Sequence, residues 1–231
     1  MADPLPLFTA AVAFVLTALL AWRYALRRKP YQLVWTLSLF LLGLAAAIAF
    51  LGNPDVVGWS GAGAALYRLY LPLTAVPVGL IGLGVLQLFR DRPKVATYYG
   101  IYWVATAVLV VLVTALAPLR DPIDGVPLAS EGPNVGGRYL PLFGAVSWLQ
   151  TVPGAIIFIG GGLYTWWRER ARYYGLFFAL GGVLFTVAGF SSRLGAPGMF
   201  FVITALAALS MFVGFVLSIE YSAATPSPAK A

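Results

Sequence analysis

The hydrophobic and polar positions divide the chain into seven long apolar segments separated by short polar breaks. Most of the segments are close to the roughly 20 residues that an α-helix needs to cross about 30 Å of hydrocarbon, and the sixth is the shortest. The pattern therefore predicts an all-α, polytopic integral membrane protein. Its seven transmembrane helices are predicted at 5–22, 31–51, 67–89, 98–119, 142–166, 175–191 and 199–219.

Charged residues alternate between the two sides of these segments. The breaks after the first, third and fifth segments, together with the tail, hold 11 basic residues and three acidic ones, whereas the other side holds four basic and five acidic residues. Basic residues are retained in cytoplasmic loops. The alternation predicts an N-terminus outside, a C-terminus inside and insertion in the cell inner (cytoplasmic) membrane.

The ends and loops complete the predicted organisation. Asp3 is the only charged side chain before the first segment, so this segment is interpreted as a retained helix, since a cleavable signal has a basic start. Residues 1–221 are predicted to form the transmembrane domain, and residues 222–231 a disordered cytoplasmic tail. The loops at 52–65 and 120–138 are rich in glycine and proline and are predicted to be irregular and external.

Composition supports the membrane assignment and excludes several chemistries. The chain is 61% hydrophobic and 10% charged, whereas a soluble domain is about 45–50% apolar and about 25% charged. The net charge of +7 is explained by topology, so no nucleic-acid partner is expected. With no cysteine and no histidine, the chain cannot build a bis-histidine haem site, a zinc protease or a serine–histidine hydrolase. We expect no cofactor, no metal and no enzymatic activity.

Two stretches of the chain resemble each other faintly. Residues 22–52 and 167–195 both open with Trp-Arg, continue with a second arginine and an apolar helix, and end at a glycine. This pattern predicts a 3+1+3 parallel repeat, an arrangement known in transporters with a site between the halves. The alternative is that apolar helices flanked by arginines all look alike.

Gln150 is the strongest polar group inside the predicted hydrocarbon zone. An amide buried in lipid is costly without a partner, and Pro153 frees a helix carbonyl one turn earlier because it has no amide hydrogen. We interpret this segment as a locally opened helix that faces the bundle interior and binds a ligand. The alternative is a hydrogen bond between helices, which is common in membranes.

Other polar side chains at interior positions extend this candidate site. Each alone is better explained by packing, because Ser and Thr also bond to their own helix carbonyls. As a set they predict a cavity for a neutral or amphipathic ligand. The predicted ligand-binding residues are Gln150, Thr151, Trp148, Thr74, Tyr102, Thr106 and Ser210.

Three arginines lie at the outer ends of predicted helices, against the inside bias. Arg68, Arg138 and Arg193 are interpreted as an outer basic cluster that binds an anion or a lipid headgroup. The alternative is salt bridging to acidic residues of the external loops. Aromatic residues near the segment ends, including Trp35, Tyr67 and Tyr70, are interpreted as membrane-interface anchors.

The layout resembles two known families without sharing their motifs. Seven helices with the N-terminus outside look like the microbial rhodopsins, but the seventh segment has no lysine to hold retinal, since the lysines are Lys29, Lys94 and Lys230. A three-plus-one-plus-three layout resembles the SWEET sugar transporters, but no glutamine here follows a proline. Neither resemblance assigns a role to any residue.

Three functional hypotheses follow. The first is a non-enzymatic protein that binds or transports a neutral, lipidic or amphipathic small molecule in a cavity between the helices. The second is a structural or accessory subunit of a larger membrane complex. The third is a seven-helix sensor without covalent retinal. The expected partners are the lipid bilayer and either a membrane-protein partner or a second copy of the chain.

Overall fold

The computed structural model describes residues 4–57, 63–89, 93–119, 140–168, 170, 172–193 and 196–224. Within these ranges the chain is helical except for short connections, and seven helices are long and apolar enough to span a membrane. An eighth helix, α3, has four residues. The helices are α1 Leu5–Arg27, α2 Pro30–Leu51, α3 Pro54–Val57, α4 Gly63–Leu86, α5 Pro93–Leu116, α6 Pro141–Arg168, α7 Tyr174–Arg193 and α8 Pro197–Ala224.

Prolines set where several of the helices begin. The long helices α2, α5, α6 and α8 start at Pro30, Pro93, Pro141 and Pro197. Proline is favoured at the first helical position because its fixed φ suits the helix and its missing N–H would have no partner there. All seven predicted segments are confirmed as helices, with ends that differ from the prediction by a few residues. The largest differences are at the C-termini of α1 and α8 and at the N-termini of α4 and α5.

The loop regions differ from the prediction in detail. The stretch 52–65 was expected to be irregular, but it contains α3, and α4 begins at Gly63. The predicted external loop at 120–138 lies outside the described residues. The predicted tail begins at residue 222, whereas α8 continues to Ala224.

Six helices form a closed ring in chain order. α1 packs against α2, α2 against α4, α4 against α6, α6 against α7 and α7 against α8, and α8 closes the ring on α1. α5 lies outside this ring and packs against α4 and α6. The surface exposes large apolar side chains, among them Ile101, Leu116 and Ile156, so the bundle contacts the lipid bilayer.

Glycines bring α6 close to both of its neighbours in the ring. A Cβ at Gly154 would lie 2.6 Å from the carbonyl oxygen of Val78 on α4. Further along α6, a Cβ at Gly162 would lie 2.6 Å from the carbonyl oxygen of Gly175 and 2.7 Å from the backbone nitrogen of Ala179. Small residues at these positions let the backbones approach, which is the usual source of helix association in lipid.

α4 accepts hydrogen bonds from side chains on both of its flanks. Four of its carbonyls between Val76 and Ile81 accept hydrogen bonds from donors on α2 and α5. The pairs are Trp103 Nε1 to Val76 O (3.2 Å), Ser38 Oγ to Pro77 O (2.8 Å), Tyr99 Oη to Gly79 O (3.3 Å) and Trp35 Nε1 to Ile81 O (3.3 Å).

Three aromatic residues expected at the membrane interface are in the core instead. Trp35, Tyr67 and Tyr70 are at most 1% exposed. Trp35 packs against the ring of Phe178 with centroids 4.9 Å apart. The interface interpretation was wrong for these three, because aromatic side chains also supply large buried area between helices.

Candidate functional site

The ring of helices encloses a cavity of about 240 Å³, called here the main cavity. α4, α6, α7 and α8 contribute most of its wall, and α2 contributes Leu42. Its walls are largely aromatic and aliphatic, and all of the described residues that line it are uncharged. The aromatic lining residues are Phe143, Trp148, Phe158, Phe185, Phe190 and Phe200.

The main cavity opens sideways between α6 and α7. Trp148 and Val152 on α6 and Phe190 on α7 line it, yet they are 50%, 40% and 55% exposed. Gly162 and Gly175 hold the two helices together at the other end of the bundle. The gap therefore lies toward the N-terminal end of α6 and the C-terminal end of α7.

Five hydroxyl side chains line the main cavity. Four of them donate to a carbonyl of their own helix at 2.7–3.0 Å, so their oxygens retain lone pairs that can accept a hydrogen bond. The four are Thr74, Ser147, Thr151 and Thr186, and the fifth is Thr204.

A second, much smaller cavity of about 10 Å³ adjoins the main cavity, and we call it the side cavity. Leu42, Thr74, Phe200 and Thr204 line both cavities. Tyr70 lines the side cavity only. Among the residues that the structure describes, neither the Tyr70 hydroxyl nor the Thr204 hydroxyl has a hydrogen-bond partner, although each side chain is 1% exposed.

Gln150 lies at the contact between α6 and α5, on a different face of α6 from the main cavity. Its Nε2 donates to the Thr106 hydroxyl at 2.6 Å and to the Trp103 carbonyl at 2.9 Å. Thr106 in turn donates to the Tyr102 carbonyl at 2.8 Å. The amide is 1% exposed, so both of its N–H groups serve to attach α5 to the ring.

Tyr102 donates a hydrogen bond to the Leu149 carbonyl, which Pro153 leaves without its usual partner. Because Pro153 has no amide hydrogen, the carbonyl of Leu149 lacks its usual partner one turn later. The Tyr102 hydroxyl donates to this carbonyl at 2.5 Å. The freed carbonyl expected from the sequence is thus present, and its partner comes from α5.

The seven predicted ligand-binding residues fall into three places. Thr74, Trp148 and Thr151 line the main cavity. Tyr102, Thr106 and Gln150 join α5 to α6, and Ser210 donates from α8 to the Phe177 carbonyl of α7 at 2.8 Å. Whether any of the seven binds a ligand stays a prediction.

Arg68 of the predicted outer cluster binds the end of a helix. Its guanidinium donates to the carbonyls of Thr114, Ala115 and Ala117 at 2.6, 2.9 and 3.0 Å. These carbonyls are at the C-terminus of α5, where the backbone has no partner of its own. Arg138 and the side chain of Arg193 lie outside the described residues, so the anion-binding cluster stays a prediction.

Sequence reasoning missed the two unpaired hydroxyls and most of the aromatic wall. Tyr70 was attributed to the interface, and Thr204 is a single threonine in a long apolar segment. A threonine within such a segment was the available signal, but other threonines in the chain share it and bond to their own helices.

Comparisons with protein-family models, curated protein sequences and solved structures found no match to this chain. The function is therefore inferred from the geometry.

We expect the Gln150→Leu substitution to lower stability and to leave the main cavity unchanged. Hydrogen bonds between membrane helices are worth about 1 kcal/mol, and the substitution removes two. Thermal unfolding in detergent measures this loss, with Thr151→Val as a control because that hydroxyl bonds within its own helix. A loss of ligand binding with unchanged stability would instead support Gln150 as a ligand contact.

Proposed function

We propose that the protein binds or transports a neutral, lipidic or amphipathic small molecule in the main cavity. The observation that supports this proposal is the cavity wall, in which aromatic and aliphatic side chains alternate with hydroxyls and the described lining residues carry no charge. A cavity of mainly apolar walls with a few polar groups is typical of small-molecule sites. A bundle without such a cavity would have favoured an accessory subunit.

The volume limits the size of the ligand. A cavity of roughly 150 Å³ lined by apolar side chains holds a benzene molecule. By proportion, the 240 Å³ of the main cavity accommodates on the order of ten non-hydrogen atoms. A longer chain would extend through the gap between α6 and α7 into lipid.

We place this gap in the outer leaflet of the inner membrane. The distribution of arginine and lysine supports an external N-terminus, and with that orientation the N-terminal ends of α4, α6 and α8 are external. The ligand then enters from the lipid. The ring order supports the 3+1+3 repeat, since α1, α2 and α4 follow one another as α6, α7 and α8 do, with α5 outside.

Filling the main cavity at Gly189 tests the proposal. Gly189 lines the cavity, and a Cβ there would meet no atom within 4 Å, so Gly189→Leu occupies ligand space without forcing the backbone. We expect about tenfold weaker binding, because the ligand loses contacts worth about 1.4 kcal/mol. The measurement is photoaffinity labelling with a ten-carbon alcohol that carries a diazirine in mid-chain, followed by mapping of the labelled peptides.

Gly160→Leu is the matched control. Gly160 is also a helical glycine with no atom within 4 Å of a Cβ, but it is on the exposed surface of α6 and does not line the cavity. Labelling in the wild type and in Gly160→Leu is expected at the peptides of α6, α7 and α8 that line the cavity. Equal labelling of these peptides in Gly189→Leu, or labelling spread evenly over the bundle surface, would contradict the proposal.

A further inference from the structure

Two buried hydroxyls without partners point to how the ligand's polar end is recognised. Tyr70 comes from α4 and Thr204 from α8, and both line the side cavity. Among the described residues, neither hydroxyl has a hydrogen-bond partner. Burying an unpaired hydroxyl costs free energy, so two of them around one small space indicate a group that comes from outside the chain.

The size of the side cavity defines that group. Its volume of about 10 Å³ holds one small polar group, comparable to a single water molecule. Thr204 lines both cavities, so a group placed there is continuous with an apolar body in the main cavity.

Neighbouring hydroxyls show why these two differ from the rest. Thr9 also lines the side cavity, but it donates to the Phe201 carbonyl at 2.8 Å. Thr74 donates to the Leu71 carbonyl at 2.7 Å. Among the hydroxyls that line the side cavity, Thr9 and Thr74 can therefore still accept a hydrogen bond, but only Tyr70 and Thr204 have an unused donor.

We propose that the side cavity binds the terminal hydroxyl or carbonyl group of the ligand through Tyr70 and Thr204, while the ligand's apolar body occupies the main cavity. This inference rests on the proposed function. It identifies the substrate class as neutral amphipaths with one small terminal polar group, such as medium-chain alcohols and aldehydes. A carboxylate is excluded from the class, because the described lining of both cavities offers no cation to balance it.

The test compares two competitors that differ in one hydroxyl. Decan-1-ol and n-decane compete against the diazirine alcohol for labelling of the cavity peptides, and the ratio of their half-maximal concentrations is measured. We expect decan-1-ol to compete about tenfold better, because a site built to bond a hydroxyl disfavours the analogue that lacks it. Partition into lipid is the same for every variant, so a change in this ratio between variants reports the site.

Tyr70→Phe and Thr204→Val each remove one hydroxyl and keep the shape of the side chain. Each is expected to lower the ratio several-fold and to leave thermal stability without ligand unchanged, since the removed hydroxyl has no partner among the described residues. Thr165→Val is the control, because its hydroxyl is also buried but bonds to the Gly161 carbonyl of its own helix and lines neither cavity. The ratio there is expected to stay near the wild-type value.

The outcomes separate this inference from the proposed function. The recognition by Tyr70 and Thr204 is overturned if the cavity is labelled but both compounds compete equally. It is also overturned if either variant leaves the ratio unchanged. In both cases the side cavity would hold a water molecule instead. Labelling that does not map to the cavity peptides overturns the proposed function itself.

Discussion

We expect Gly154→Ala to destabilise the protein by about 3 kcal/mol, although the change adds a single methyl group. The new Cβ would lie 2.6 Å from the carbonyl oxygen of Val78 and 3.0 Å from the Cα of Gly79. Both contacts are with backbone atoms, so no side chain can rotate away, and α4 and α6 must separate along their contact. Overpacking of this kind costs about 1–3 kcal/mol and occasionally more.

Gly160→Ala provides the comparison for this prediction. It is on the same helix and has no atom within 4 Å of a Cβ, so the substitution is expected to be neutral or to stabilise by up to about 1 kcal/mol through higher helix propensity. Both variants are compared by thermal unfolding in the same detergent. If Gly154→Ala unfolded at the wild-type temperature, the close approach of α4 and α6 would be wrong.

Arg68→Met is expected to destabilise the protein by about 2 kcal/mol and to loosen the C-terminal end of α5. Three carbonyls lose a charged donor, and a hydrogen bond to a charged group is worth about 1.5–3 kcal/mol before exposure reduces it. The positive charge also lies at the favourable end of the α5 dipole. Hydrogen–deuterium exchange of the peptide at 110–119 is expected to become faster.

The Arg68→Lys substitution separates the contribution of the positive charge from that of the hydrogen-bond geometry. Lysine keeps the positive charge, but its ammonium cannot reproduce the planar fork that reaches three carbonyls. We expect an intermediate loss of stability and partial protection of the same peptide. If Arg68→Met had the exchange rate and the unfolding temperature of the wild type, α5 would be attached at this end by other contacts.

The number and type of the helices could be predicted from the sequence because lipid imposes a simple rule. Each span must satisfy its own backbone hydrogen bonds and present apolar side chains over a fixed length. The apolar runs therefore coincide with α1, α2 and α4–α8, and prolines such as Pro30 and Pro141 give the starts of helices. Helix ends were less predictable, since an α-helix such as α8 continues past the apolar region into polar sequence.

The orientation of aromatic side chains could not be predicted from position along a segment. Trp35 and Tyr70 are near the ends of apolar runs, where aromatic anchors are common. Whether such a residue faces lipid or the ring depends on which helices are neighbours. The ring places both side chains in the core.

The candidate site could also be predicted only in part, because the sequence does not show which helices are neighbours. The sequence identified polar groups inside the bilayer, and Thr74 and Thr151 are indeed at the main cavity. It could not show that Gln150 is used by α5, because its acceptors Thr106 and Trp103 are more than 40 residues away in the chain. It also could not distinguish Thr204 from threonines that bond within their own helix.

Four side-chain donors on α2 and α5 bond to carbonyls of α4 and so join the three helices. Sliding or rotating α4 would break bonds from α2 and α5 together, in hydrocarbon where no water replaces them. α2, α4 and α5 are consequently held together by two indoles and two hydroxyls, and Arg68 of α4 adds three bonds to the C-terminal end of α5. The gap between α6 and α7 lies apart from these bonds, because none of the four donors or acceptors is on α6 or α7.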